Sequence, residues 1–426
     1  MLLSQKGWSR LLFAVVLGAA SCASQAESHY VLEKVVEVSR HGVRPPTPGN
    51  RQAMQDGTDR AWPQWTTRDG ELTGHGYAAA VLKGRYEAEY YRRQGLLERG
   101  CPAPGAVYVW ASPLQRTRAT AQALMDGAFP GCGVAIHAVS DKQDPLFQAD
   151  KMGLTPLDAE KARAAIQQAM GGSPEQAQQR LSRDIARLQA AVCQPNKPCP
   201  AFEQPWRIER KEDGRFSITG LGTLSNMAES IRLAYSENLP AAQVAFGHGG
   251  SASAIAPLLP LLTARYDFTN DVPYIARRGG SVLLNQITQA LASDRASADA
   301  PPPARWLLFV AHDTNIAYLR TLLGFSWQQD RYPRGNIPPA GSLVFERWRD
   351  KQSGQRFLRT YFQAQSLDQI RRLTPLDART PPLKTDLSRP GCRPSPVGVL
   401  CPWSASLHQL RAAIDPTALP AVHYTP

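Results

Sequence analysis

Beyond its first twenty residues this 426-residue chain has no apolar run approaching a membrane span, which takes about 20 apolar residues. Leu11–Ala20 is apolar but too short to cross a bilayer, so it does not read as a membrane-spanning helix. Cysteine is sparse, at seven residues, with no Cys-x-x-Cys pair and no histidines clustered beside any cysteine. That absence argues against a zinc site. Long blocks of like charge are also missing: 48 Lys and Arg and 36 Asp and Glu are scattered, for a net charge of +12. The basic excess fits an anionic substrate or ordinary surface composition, and does not suggest nucleic-acid binding. No internal repeat is visible.

What is present begins at the N-terminus. Met1–Arg10 carries Lys6 and Arg10 and no acid, Leu11–Ala20 follows, and small residues surround Ala23 and Ala26. This pattern predicts a signal peptide over residues 1–26, cleaved after Ala26, and a periplasmic or secreted mature protein. A lipid anchor at Cys22 is the weaker reading, because Ala19 stands where a larger aliphatic residue would be expected. Cleavage lowers the net charge to +10 and leaves six cysteines, an even number suited to an oxidising compartment. Sequence proximity favours Cys193 with Cys199 and Cys392 with Cys401, which leaves Cys101 with Cys132.

Residues 27–150 alternate strand-like and helical stretches, including an amphipathic segment Gly74–Arg99 and a helix Thr117–Met125. Residues 151–270 read as mainly helical, with Asp158–Met170, Pro174–Val192 and Ser251–Tyr266. An exposed Pro/Ala/Ser-rich connector, Ser293–Ala304, precedes the last strand-rich part, where Ser342–Trp348 pairs with Arg356–Gln363 as a hairpin. The expected architecture is therefore α/β, with a mixed, mainly parallel sheet flanked by helices. It is contributed by residues 27–150 and 271–426 and interrupted by a mainly helical insertion over 151–270, which would form the second wall of a cleft.

Three apolar runs end in cationic residues. Tyr30–Val38 leads into Arg40-His41-Gly42-Val43-Arg44-Pro45, Val107–Trp110 into Gln115-Arg116-Thr117-Arg118, and Trp306–Ala311 into His312-Asp313-Thr314-Asn315. Open α/β sheets bind ligands beyond the carboxyl ends of their strands. Neighbouring parallel strands would gather guanidiniums, two imidazoles and one carboxylate at one point. Arginine holds phosphate best, through a planar fork that stays charged. A neutral His41 among such arginines has the chemistry to attack phosphorus, and Asp313 to protonate the leaving alcohol. Arg40, Arg44, Arg116 and His312 would steady the phosphoryl charge. No metal and no other cofactor is required. Taken singly, an Arg-His-Gly tripeptide is more often a solvated turn and a His-Asp pair a helix cap; it is their joint placement at strand ends that carries the reading.

These residues resemble the histidine acid phosphatase family, whose hallmark is Arg-His-Gly-x-Arg-x-Pro and a distant His-Asp, here Arg40–Pro46 and His312-Asp313. The resemblance implies a phosphoglycerate-mutase-like fold, His41 as nucleophile and Asp313 as proton donor. It also implies Arg40, Arg44, Arg116 and His312 as phosphate ligands, with Arg116 preferred to Arg118. The expected substrate is a small anionic phosphomonoester, cleaved through a phosphohistidine by a monomeric enzyme. Similarity to the family's bacterial phytases extends over Met54-Gln55-Asp56, Asp144-Pro145-Leu146-Phe147 and Pro338–Trp348, and His312-Asp313-Thr314-Asn315 has the phytase form. This makes phytate in mild acid the expected substrate, ahead of glucose 1-phosphate or a broad set of esters. The three disulfides resemble pairs in that group. One departure is Pro48, which stands where enterobacterial phytases carry a phosphate-binding lysine. The loop Gly247-His248-Gly249-Gly250 has no counterpart in the family, and a turn role is expected for His248.

Overall fold

A computed structural model describes residues 29–425; the signal-peptide reading, its cleavage point and Cys22 fall outside the described residues. The strands, in chain order, are β1 (Tyr30–Arg40), β2 (Val107–Ala111), β3 (Arg207–Arg210), β4 (Phe216–Thr219) and β5 (Trp306–Ala311). They continue with β6 (Ser342–Asp350), β7 (Arg356–Ala364), β8 (Leu383–Asp386), β9 (Arg393–Ser395) and β10 (Gly398–Pro402).

Eight of these form one sheet in the order β2-β5-β1-β6-β7-β10-β9, with β8 also on β7. β1 and β2 flank β5 and both run parallel to it, with Arg40 opposite Ala311 and Ala111 opposite Val310. The three carboxyl ends are therefore level, as the cationic strand tips require. Every residue of β5 is buried, which is why it reads as a continuous apolar run: strands covered on both faces have no polar side to alternate. Beyond β1 the sheet turns antiparallel, through β6 and the expected β6–β7 hairpin.

Helices cover both faces. Gly74–Arg93 and Gln115–Ala128 pack Ala88, Tyr91 and Leu124 on Val35, Val109 and Leu308. On the other face Leu284, Ile287 and Ile316 from Pro273–Ala292 and Asp313–Leu322 meet Val36, Val38 and Phe309. A separate core gathers Ile166, Leu188, Trp206, Leu224 and Ile231 from residues between 159 and 236.

Local chemistry explains where elements end. Gly74–Arg93 stops short of the expected Arg99 because Gly95 takes a left-handed φ of 74° just after it, a common helix terminator. Ser251–Tyr266 is not one helix: Pro257 and Pro260 break it, and only Pro260–Asp267 forms a regular segment at its end. Pro174–Val192 likewise divides at Leu181. The helix Leu221–Ser236 fits the mainly helical reading of 151–270, although it was not singled out there, whereas the β3–β4 hairpin departs from it. The disulfides are Cys101–Cys132, Cys193–Cys199 and Cys392–Cys401, so all six cysteines among the described residues are paired as sequence proximity suggested.

Candidate active site

The loop leaving β1 is held against the start of the helix Gly74–Arg93. A side chain at Gly76 would put its Cβ 2.6 Å from the Val43 carbonyl oxygen, and one at Gly42 would meet Leu72 at 2.8 Å. Two glycines thus permit a backbone contact that any larger residue would push apart. The Gly42 N–H donates to Thr120 Oγ1 at 2.9 Å, tying the loop to the helix after β2.

Arg40 and His41 are only 1% and 2% exposed. His41 Nδ1 lies 2.9 Å from the Gly42 carbonyl oxygen. A carbonyl only accepts, so Nδ1 carries the proton and Nε2 keeps a free lone pair. The His312 ring stands 5.9 Å from that of His41, centre to centre, and its Nε2 is 2.9 Å from Ser112 Oγ at the tip of β2. Asn315 explains the fourth position of His-Asp-Thr-Asn. Its Oδ1 accepts from the His312 N–H at 3.1 Å, while its Nδ2 donates to the Phe147 carbonyl at 2.8 Å.

Asp313 opens its helix. Oδ1 accepts from the Thr314 N–H at 3.0 Å, and Oδ2 lies 3.9 Å from Arg40 Nη2 and accepts from the Tyr266 hydroxyl. Arg44 donates to the Pro45 carbonyl at 2.8 Å and Arg116 to the Gly70 carbonyl at 3.2 Å. The Nε groups of Arg40, Arg44 and Arg116 are buried without a partner, which marks a site short of acceptors. All six expected residues therefore converge, Arg118 is exposed instead, and His248 sits exposed in a turn.

The electrostatics follow from burial and crowding. Burial, then Arg116, Arg40 and Arg44, hold the His41 imidazole well below its usual range. His312 is lowered to about 3, again by burial first and Arg116 next. Burial and the neighbouring Arg116 and Arg40 lower even Arg44, to about 10. Burial would raise Asp313, but Arg40 and Arg265 outweigh it and keep the carboxyl well below the usual carboxylate range.

Two members of the site were not foreseen. Glu229, 12% exposed, accepts from Arg40 at 2.5 Å and from Arg232. Burial raises its pKa, yet Arg232 and Arg40 bring it down to about 2. Tyr266 reaches Asp313 from the helix Pro260–Asp267. A signal for Glu229 existed: it and Arg232 stand three apart in a helix otherwise buried around Met227, Ala228, Ile231 and Leu233, and charges on an all-round apolar helix call for partners.

Level parallel strand tips carrying buried arginines, paired imidazoles and a carboxylate define a phosphate-handling α/β enzyme. The chain belongs to the histidine phosphatase superfamily (branch 2), matched over residues 31–363, and is a phosphoric monoester hydrolase. It is 32% identical over 401 residues to phytase AppA of Escherichia coli, covering 90% of this chain and 92% of that protein. To glucose-1-phosphatase of Salmonella typhimurium it is 31% identical over 396 residues, covering 91% and 94%. The crystal structure of Klebsiella sp. ASR1 phytase superposes with a TM-score of 0.87 at 55% identity, over 92% of this chain and 98% of that one. Among the described residues no helix is long and apolar enough to cross a membrane, and three disulfides indicate an extracytoplasmic protein.

Proposed function

We propose that the protein dephosphorylates phytate in mild acid through a phosphohistidine on His41. The observation that carries this reading is the lowered His41 imidazole with a free Nε2, set among the guanidiniums of Arg40, Arg44 and Arg116, the first of which also lies 3.9 Å from Asp313. Arg40, Arg44, Arg116 and His312 hold the phosphoryl oxygens. The His41 Nε2 lone pair forms the N–P bond as the ester P–O bond breaks. The electron pair leaves with the alcohol oxygen, which takes a proton from Asp313. Water then attacks phosphorus and gives a proton back to the Asp313 carboxylate, and the N–P bond breaks to release phosphate and restore His41. Asp313 is ionised in the free site; the charge of bound phosphate offsets the arginines' field and raises its pKa, which loads the proton donor only when substrate is present.

On this reading residues 27–150 and 271–426 form the phosphatase domain and 151–270 an inserted substrate wall. The enzyme works as a monomer in the periplasm or outside the cell after cleavage behind Ala26. The test is kcat/KM at mildly acidic pH, with a chelator present, for phytate, glucose 1-phosphate and p-nitrophenyl phosphate. We expect phytate to lead glucose 1-phosphate by at least about tenfold. A lead for glucose 1-phosphate overturns the substrate and keeps the chemistry.

A further inference from the structure

The helix Leu221–Ser236 holds the segment leaving β1 at two points, one on either side of His41. The first is the ion pair of Glu229 with Arg40. The second lies at the end of the helix, where Glu237 follows Ser236 and its Oε2 is 2.6 Å from Thr73 Oγ1. Thr73 in turn meets the Val43 carbonyl oxygen, with its N–H at 3.0 Å and its hydroxyl oxygen at 3.3 Å. Arg40 and Val43 bracket His41-Gly42, and the Gly42 carbonyl fixes the tautomer of the imidazole. Whatever sets the position of Val43 therefore reaches the His41 ring.

Thr73 has one hydroxyl hydrogen for two acceptors. One of its lone pairs is already taken by the Gly76 N–H at 2.9 Å, the cap of the helix Gly74–Arg93. A charged acceptor outcompetes a neutral one, so an ionised Glu237 takes the hydrogen and leaves Val43 only the Thr73 N–H. A protonated Glu237 reverses the bond. Its O–H donates to the second Thr73 lone pair, and the Thr73 hydroxyl turns to Val43. Glu237 is partly exposed, so the proton is exchanged with solvent.

No other charge competes for this carboxyl, which has no ion-pair partner among the described residues. On the helix Gly74–Arg93, His75 Nε2 lies 2.8 Å from the Ile370 carbonyl oxygen, and burial keeps its imidazole below the usual range. On the helix Leu367–Arg371, Arg371 donates to the carbonyls of Tyr235 at 2.8 Å and Leu239 at 3.1 Å, and Asp368 accepts from the Tyr235 hydroxyl. Burial pushes the Glu237 carboxyl up to about 7, against the pull of the Thr73 hydroxyl. Its protonated form therefore prevails in mild acid and gives way near neutrality.

We propose that Thr73 and Glu237 form a positioning relay that tightens the catalytic loop when Glu237 is protonated and slackens it when Glu237 is ionised. Both act through Val43 and Gly42 rather than on the substrate. The effect on rate rests on the phosphatase reading of His41, whereas the effect on the loop does not. The raised carboxyl contributes its stabilisation fully below the ordinary value of 4.5 and loses it as pH rises through the raised one.

The experiment uses the full mature chain and two variants that arrest the relay at opposite ends. Glu237→Met removes the competing acceptor, so the hydroxyl stays on Val43 at every pH. Thr73→Val removes the hydroxyl, so Val43 lacks it at every pH. Amide hydrogen exchange over residues 40–44, corrected for intrinsic rate, is followed from mild acid to about one pH unit above the raised Glu237 value. In the unaltered protein protection should fall about threefold across that range, the scale of one hydrogen bond. Glu237→Met should hold the acid level and Thr73→Val the alkaline level, and Thr73→Ser should keep the step. For kcat on p-nitrophenyl phosphate, dividing each variant by the unaltered enzyme at the same pH cancels the ionisation of the substrate. For Glu237→Met the ratio should be near unity in mild acid and about threefold at the upper pH; for Thr73→Val it should climb from about one third to unity. Should Thr73→Val not fold, Glu237→Met and Thr73→Ser decide. A step that persists in Glu237→Met, or an offset constant with pH, marks a merely structural contact and overturns the relay. If p-nitrophenyl phosphate is not hydrolysed at all the phosphatase reading falls, and the exchange data alone decide the relay.

Discussion

At Glu37, β1 feeds a buried charge cluster that cancels; three residues later, at Arg40, it feeds one that does not. In the first, Lys83 Nζ lies 2.7 Å from both Glu37 and Glu87 and donates to Ser342 Oγ at 2.8 Å. Burial is the largest influence on each group. Lys83 outweighs it at Glu37, which stays low, while burial and Glu37 together push Glu87 up. With Glu87 protonated, one ammonium faces one carboxylate and the cluster is neutral. In the second, four guanidiniums, from Arg40, Arg44, Arg116 and Arg232, face Glu229 and Asp313 as the only carboxylates paired with them among the described residues, and the Nε donors of all four have no acceptor. Burying charge is costly unless it is paired. The neutral cluster meets that cost within the fold. The cationic one carries a surplus that makes structural sense only if an anion arrives, and it lies at the open ends of the strands where one can.

The comparison breaks first at His41. His41→Ala removes the proposed nucleophile but no core side chain, so kcat should fall by at least about 10⁴-fold, the scale seen when covalent machinery loses a member. Thermal unfolding should stay close to that of the unaltered protein. Turnover near the original rate would end the covalent assignment and reduce the cationic cluster to a binding site.

Lys83 gives the mirror image. Lys83→Met strands Glu37 without its cation and should cost about 3–5 kcal/mol of stability, the usual penalty for removing one partner of a buried ion pair. The kcat of the molecules that remain folded should be unchanged. Glu87→Gln sharpens the point, because it copies the protonated form. The raised pKa of Glu87 means its contribution to stability is complete below the ordinary carboxyl value of 4.5 and is lost as pH rises through the raised one. The glutamine variant should therefore lose this alkaline decline while changing stability in mild acid by less than about 1 kcal/mol. A large drop in kcat for Lys83→Met, with stability intact, would mean the two clusters are not separate devices.

The cationic cluster was legible in the sequence and the neutral one was not, for a physical reason. Arg40-His41-Gly42 and His312-Asp313 each keep their chemistry within a few consecutive residues at the end of an apolar strand, so local reading finds them. Glu37, Lys83 and Glu87 come from a strand and a helix 46 residues apart in the case of the Lys83–Glu37 contact, and nothing local announces that they meet. Glu229 was hidden in the same way: its contact with Arg40 spans 189 residues. The level tips of β1, β2 and β5 followed from three apolar runs with a common ending. The β3–β4 hairpin pairs two strands of only four residues each in a region read as helical, where short strands leave little periodicity to detect.

The finest distinction concerns how the unbalanced cluster behaves once its anion is present. In the free site His41 is lowered, so it remains a nucleophile until pH falls well below the usual imidazole range. Asp313 is lowered as well, so in the free site it gives up its proton at an unusually acidic pH. A group that must be protonated to act loses activity as pH rises through its pKa, and bound phosphate moves that point upward. Because kcat/KM reports the free enzyme and kcat the complex, the alkaline limb of kcat should lie above that of kcat/KM by at least about one pH unit for esters with poor leaving groups. p-Nitrophenyl phosphate, whose alcohol barely needs the proton, marks the limb due to the substrate's own ionisation. Asp313→Asn should slow the poor-leaving-group esters far more than this control and abolish the separation between the two limbs. Coincident limbs in the unaltered enzyme would mean that the phosphate does not retune Asp313, and that the surplus of positive charge serves binding alone.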